Sequence, residues 1–214
     1  MVQKIGITKA ITNLNEAHSK FNLRQSTDPL FFREWFEDLP EISESEKQFL
    51  NRLKNRYFYY AADGAITEGT INIIMLSPLI ELLGMCDPPF KIRGEEAVKV
   101  ELEDGNEDTR LEGFIDALIV HNQLWIVVIE AKRYGFNATL AVPQTLAYMM
   151  ANPNSEVPVF GMITNGEDYI FVKLNRQLHQ YSLSKKLTLS NPHDNELYEV
   201  LRVMKRIIGL IVQV

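Results

Sequence analysis

Apolar positions along the chain follow two rhythms. Up to about residue 84 they recur at helical spacing, and from about residue 90 they gather into short, nearly unbroken runs. The first part predicts a helix over Thr8–Phe21 with Thr8 as N-cap. A second is opened by Asp28-Pro29, with Phe31, Phe32, Trp35 and Phe36 on one stripe. A third runs from Glu44 to Tyr60, capped by Ser43 or Ser45, with Phe49, Leu53, Tyr57 and Tyr60 on its stripe. Asp63-Gly64 breaks the pattern. TEGTINIIMLSPLIELLG, residues 67–84, then reads as a helix with Thr67 as N-cap, Gly84 as its stop and a kink or a division at Ser77-Pro78. Glu68 lies on the same stripe as Ile71, Met75, Leu79 and Leu82, at the N-terminal end of the core-facing surface.

The strand-like part is centred on residues 111–134, LEGFIDALIVHNQLWIVVIEAKRY. Phe114 to Val120 and Leu124 to Ile129 predict two paired strands with a turn at His121-Asn122-Gln123. Runs this apolar suit strands covered on both faces. A strand pair over 90–103, with a solvated turn near Asp104-Gly105, leads into this hairpin. After it come a helix over AVPQTLAYMMAN, packed through Leu140, Ala147 and Met150, and a strand over Val157–Thr164. A turn at Asn165-Gly166-Glu167-Asp168, a return strand over Tyr169–Leu174 and a shorter strand at Leu178–Leu183 follow. The final helix starts near Asp194, with Leu197, Leu201, Met204, Ile208 and Ile211 inward. This order predicts an α/β protein, a mixed sheet with helices on its faces. Residues 1–62 form a separate N-terminal helical extension and residues 63–214 the core.

Composition narrows the class only a little. With 214 residues, 46% hydrophobic and 23% charged, the chain is long enough for a proper core. The single cysteine, Cys86, excludes an internal disulfide and points to a reducing compartment. The N-terminus carries no apolar signal region and no run is long enough to span a membrane, so a cytoplasmic protein is expected. The net charge of −6 argues weakly against a nucleic-acid partner, because much of the acid lies between Glu95 and Glu112 while Lys and Arg cluster elsewhere. His18, His121, His179 and His193 are scattered without zinc-ligand spacing. No glycine-rich phosphate loop is present. The aromatic run at 56–60, RYFYY, reads as packing in preference to a base-stacking surface.

The charges inside the apolar hairpin are the candidate chemistry. Asp116 interrupts the first run, and Glu130 and Lys132 end the second on one strand face. A hairpin turn places Asp116 beside Glu130. Such a cluster needs mutual pairing, a metal ion or water access, since isolated buried charges cost several kcal/mol. Gln144 and Tyr148, four apart, share a helix face.

Together these residues resemble the PD-(D/E)XK nuclease superfamily, the restriction-endonuclease-like fold. Asp116 matches the first acid, although Ile115 stands where the motif name has Pro. Glu130-Ala131-Lys132 matches (D/E)XK, with thirteen residues between the acids. Glu68 matches the helix-borne glutamate, and Gln144 and Tyr148 match the QxxxY extension of type I restriction motor subunits and helicase-associated nucleases. The resemblance covers about residues 63–175 and none of the N-terminal helices, and it lacks any helicase motor. It implies a Mg²⁺- or Mn²⁺-dependent nuclease acting on nucleic acid, DNA in the first instance, with a homodimer or a restriction-system subunit as partner. Asp116, Glu130 and the Ala131 carbonyl would hold metal, and Glu68 a second metal or its water. Lys132 would position the attacking water, and Gln144 and Tyr148 would support the site or bind the phosphate backbone. The competing readings are a catalytically inactive nuclease-like binding or interaction subunit, and a structural α/β protein whose charges are merely paired.

Overall fold

The computed structural model describes the backbone at residues 3–104, 107–121, 124–133 and 135–212. Side chains are described at these positions except 3, 102–104, 107, 108, 124, 126–131, 211 and 212. Among the described residues nine strands form one mixed sheet. They are β1 (Gln3–Gly6), β2 (Arg24–Gln25), β3 (Phe90–Asp104), β4 (Glu107–His121), β5 (Leu124–Ala131), β6 (Val159–Thr164), β7 (Asp168–Asn175), β8 (Gln180–Leu183) and β9 (Leu187–Thr188). The order is β1-β4-β5-β6-β7-β8-β2, with β3 along the other edge of β4 and β9 beside β7. The pairs β1–β4, β5–β6 and β2–β8 are parallel and the others antiparallel.

Helices cover both faces. On one lie α3 (Glu44–Ala61), a rod made of α4 (Glu68–Ile71), a π-helical turn (Asn72–Leu76) and α5 (Ser77–Leu82), and α7 (Leu197–Val212). Leu53, Tyr57, Ile71, Met75 and Met204 pack there on Ala117, Ile119, Met162 and Phe171. On the other face lie α1 (Ile7–Ala10), α2 (Leu14–Phe21) and α6 (Val142–Met150), whose Ile7, Phe21, Leu146 and Tyr148 cover Ile115, Leu118, Val120 and Ile163. The mixed α/β architecture is thus as the pattern predicts.

The N-terminal third departs from its sequence reading. It is not all helical: β1 and β2 pair into the sheet, and Ile7, Phe21, Leu53 and Tyr57 belong to the two cores shared with residues 63–214. Periodicity misses such short strands because the sheet supplies their hydrogen bonds. The helix expected over 8–21 is broken at Ile11–Asn13, and Asn13, whose side chain accepts from the Glu16 N–H, is the N-cap in place of Thr8. The aromatic stripe after Asp28-Pro29 makes only a 3-10 turn at Arg33–Trp35. The helix over Glu44–Tyr60 forms as expected, closed by a full capping box between Ser43 and Glu46, but its buried face is Leu50, Leu53 and Tyr57. Phe58, Tyr59 and Tyr60 are exposed, so only Tyr57 of the aromatic run is packing. Leu140, expected in the core, is exposed as well. His121, expected in the central turn, belongs to β4 and pairs with Leu124, while Asn122 and Gln123 lie outside the described residues.

The hairpin of β3 and β4 runs in one register from Phe90↔His121 to Asp104↔Glu107, with a single gap opposite Asp116. Glu95 fills that gap and holds φ 50, a left-handed conformation that costs a non-glycine residue roughly 1–2 kcal/mol. The alternation of the strand slips there. Leu111 and Ile115 face the α6 side, whereas Ala117 and Ile119 face the α3 side and Leu118 and Val120 take over toward α6. Asp116 sits at the slip.

Candidate active site

Two strands share one edge of β4 and run toward each other along it. β1 pairs in parallel up to Gly6↔Glu112, and β5 pairs antiparallel up to Ala117↔Ile129. Their carboxyl ends therefore face each other across a notch in which no described strand pairs with Gly113, Phe114, Ile115 or Asp116 on this edge. Five residue steps separate the last paired positions, about 17 Å of strand. Asp116, half-buried, stands at the β5 bank of the notch. Glu130 follows Ile129, the last partner in the ladder, so Asp116 and Glu130 occupy adjacent positions where the two strands part. The side chain of Glu130 lies outside the described residues.

Lys132 is fixed by the far side of β5. Its N–H donates to the Thr164 carbonyl at 2.7 Å, which extends the parallel ladder that pairs Glu130 with Ile163 and Ala131 with Thr164. The loop after it is tied down by Asn165, only 5% exposed, whose Nδ2 donates to the Phe136 carbonyl at 2.8 Å. Oδ1 of the same residue accepts from the N–H groups of Glu167 and Asp168 at 3.0 and 2.7 Å. One buried amide thus couples the β6–β7 turn to the exit of β5. Asn165 was legible in the sequence only as a turn residue; the second half of its task needs the tertiary neighbour.

Helix α6 brings Gln144 and Tyr148 together as expected. Gln144 Nε2 donates to Tyr148 Oη at 2.6 Å. Tyr148 is 2% exposed, wedged over β4 at Gly113, where a Cβ would fall 2.8 Å from its ring. Its ring thus packs against the stretch of β4 that forms the notch.

Glu68 is placed differently. It is the first residue of α4, half-buried, after Thr67, whose hydroxyl accepts from the Thr70 N–H. The rod it begins packs on the α3 face of the sheet, with α6 on the other. Pro78 accompanies a division of this rod, made by the π turn that precedes it. Having no N–H, Pro78 cannot serve the Ile74 carbonyl, which accepts from Arg56 Nη1 at 3.0 Å, and Ser77 Oγ donates to the Asn72 carbonyl at 2.8 Å. The structure joins Asp116, Glu130 and Lys132 through β4–β5–β6 and Gln144 and Tyr148 through α6, while Glu68 comes from the layer opposite α6. Among the described residues no group of three or more His, Cys, Asp or Glu side chains is poised around a metal position, and Glu130 lies outside that set.

Residues 93–180, from near the start of β3 to the start of β8, match the sequence profile described as type I restriction enzyme R protein N terminus (HSDR_N). No curated protein matches the chain. Among solved structures, a fragment assigned as the HsdR subunit of a type I restriction enzyme from Vibrio vulnificus YJ016 aligns with 68% of this chain at 17% identity and a TM-score of 0.43. This chain spans 26% of that one. No helix among the described residues is long and apolar enough to cross a membrane. The profile match takes in Asp116, Glu130, Lys132, Gln144 and Tyr148 and leaves out Glu68, so what it supports is a relation to the type I R-protein N terminus through the notch and α6.

Proposed function

We propose that this protein is a metal-dependent phosphodiesterase of the PD-(D/E)XK kind, a DNA endonuclease with a restriction or defence role, with Asp116, Glu130 and Lys132 as its centre. The observation that carries this reading is where the β4–β5 ladder ends. Asp116, the one acid in the apolar stretch of β4, and Glu130, the one acid of β5, each stand next in sequence to the last residues paired in that ladder, Ala117 and Ile129.

The donor set fits a hard cation. Asp116, Glu130 and the Ala131 carbonyl offer oxygen alone, which suits Mg²⁺ or Mn²⁺ and not zinc. The ion supplies Lewis-acid stabilisation of the phosphoryl oxygens. Lys132, half-buried and fixed through its own main chain, would orient the attacking water and face the negative charge that develops. Gln144 and Tyr148 would hold the floor of the notch rigid. Glu68 would contribute from the end of α4, as an outlying acid that orients water.

The test is nicking of supercoiled plasmid with Mg²⁺ or Mn²⁺. Cleavage by the wild type that is lost in Lys132→Ala, together with divalent-ion binding lost in Asp116→Ala, is the expected result. Metal binding with no cut in DNA or RNA would leave a nuclease-like binding subunit and remove the catalytic reading. Neither binding nor cleavage would leave a structural charge cluster.

A further inference from the structure

The bank of the notch opposite Asp116 opens into a cavity of about 390 Å³, lined among others by Gly6, Thr8, Lys99, Glu112, Phe114 and Tyr148. That is near the lower end of small-ligand sites, roughly 300–1,000 Å³, large enough for one base and too small for a base pair. Three features of its walls go unexplained by packing. Phe114 is 63% exposed although its neighbours Ile115, Ala117 and Leu118 are buried. Glu112 Oε1 is shut off from solvent with no hydrogen-bond donor; Lys4 Nζ stands 3.5 Å away as a charge partner only. Lys99 lies directly across the ladder from Glu112, so a second lysine shares this stretch of the hairpin with the Lys4–Glu112 pair. Phe114 and Asp116 are two residues apart on one strand, about 7 Å.

We propose that this cavity is a subsite for a single unstacked nucleobase beside the scissile phosphodiester. The base stacks on Phe114, whose face tolerates any base. The Glu112 carboxylate, a third exposed and only ion-paired with Lys4, accepts from a base amino group, as carboxylates do from cytosine N4, which makes it the residue that sets base preference. Lys4 and Lys99 hold the adjoining phosphates. The inference rests on the nuclease reading above for the identity of the ligand, and it adds that the substrate is read as a single strand, or as a nucleotide swung out of its duplex.

Binding of single-stranded oligonucleotides carrying 2-aminopurine, measured in EDTA so that nothing is cut, tests this. Stacking on Phe114 quenches the probe in the wild type and in Lys132→Ala. Phe114→Ala loses the quench and at least about tenfold in affinity, while Phe114→Trp keeps both. The wild type binds oligo-dC more tightly than oligo-dT, and Glu112→Gln levels the two. Wild-type quench, affinity and base preference in both Phe114→Ala and Glu112→Gln would overturn the subsite, even with Lys132-dependent plasmid nicking intact. Quenching that depends on Phe114 in a protein that nicks nothing would uphold the subsite and remove the nuclease reading instead.

Discussion

Adding one methyl group at Gly113 tests the geometry of the notch floor. A Cβ there would stand 2.8 Å from Tyr148 Cε1, 3.2 Å from Ile7 Cδ1 and 3.3 Å from Ile7 Cβ. Ordinary contact begins near 3.4 Å, so the ring must give by more than half an ångström. Neither neighbour has slack, since Tyr148 is 2% exposed and Ile7 fully buried. Overpacking of this kind costs about 1–3 kcal/mol, offset by roughly 0.4–1 kcal/mol because alanine restricts the unfolded chain. The net expectation for Gly113→Ala is a loss of about 1–2 kcal/mol, or roughly 2–8 °C in Tm for a chain of this length. Gly209 provides the control. It lies within α7 with nothing within 4 Å of its would-be Cβ, so Gly209→Ala should gain about 0.5–1 kcal/mol from helix propensity. Thermal and urea unfolding of the three proteins reads both signs. A Gly113→Ala protein as stable as the wild type would mean that Tyr148 is free to swing away, and the rigid floor would have to be abandoned.

Tyr148→Phe removes the 2.6 Å bond from Gln144 while keeping the ring, and should cost about 1 kcal/mol in urea unfolding; no change would mean the bond adds nothing to stability. Arg56→Met strips the donor from the Ile74 carbonyl and should cost about 1–3 kcal/mol. The penalty should shrink in a Pro78→Ala background, where a main-chain N–H returns, and strict additivity of the two changes would refute the substitution of one donor for the other. Glu46 is held below the usual carboxylate range, first by the hydrogen bond from Lys205 and then by those from Ser43. A depressed folded-state pKa gives stability that is present above the unfolded value and lost as pH falls through the folded one. Glu46→Gln should therefore be less stable than the wild type near neutrality and converge with it on acidification; a gap that does not vary with pH would sink this account.

The sequence made the long elements legible and the short ones invisible, for a physical reason. The capping box at Ser43 and Glu46, the Thr67 cap and the β3–β4 hairpin are local devices, written within a few residues of the structure they specify. The Gln144–Tyr148 bond is local too, since four residues on a helix always bring two side chains together. Strand β1 has four residues and β2 two, and nothing in QKIG or RQ marks them; β4 and β8 supply their partners from more than 100 residues away. The helix expected at Phe31–Phe36 fails for a similar reason. Its aromatics are recruited singly, Phe32 into the α3-side core and Phe31 beneath the Lys173 ammonium, which also binds Glu34. The separate helical extension was an inference from helical rhythm, and rhythm does not say which core a helix joins.

For the candidate site the same distinction decides what could be foreseen. Adjacent acids on paired strands follow from an apolar hairpin, so Asp116 and Glu130 could be placed together from the chain alone. That the edge of β4 is left open just there could not, because the opening is made by β1 arriving from the other end of the molecule and stopping at Gly6. This matters energetically. Two carboxylates sealed inside a sheet would each carry a desolvation cost of several kcal/mol, and pairing alone seldom returns it. On the proposed reading, carboxylates at a break between two strand ends would keep access to water and to a cation, and the left-handed Glu95 opposite Asp116 marks the strain that the slip in alternation imposes. Relieving that strain separates fold from function: Glu95→Gly should leave the protein as stable or slightly more so, whereas Glu95→Val, which resists φ 50, should cost about 1–2 kcal/mol. If Glu95→Val were the more stable of the two, β3 would be regular at this point and Asp116 would belong to an unbroken strand.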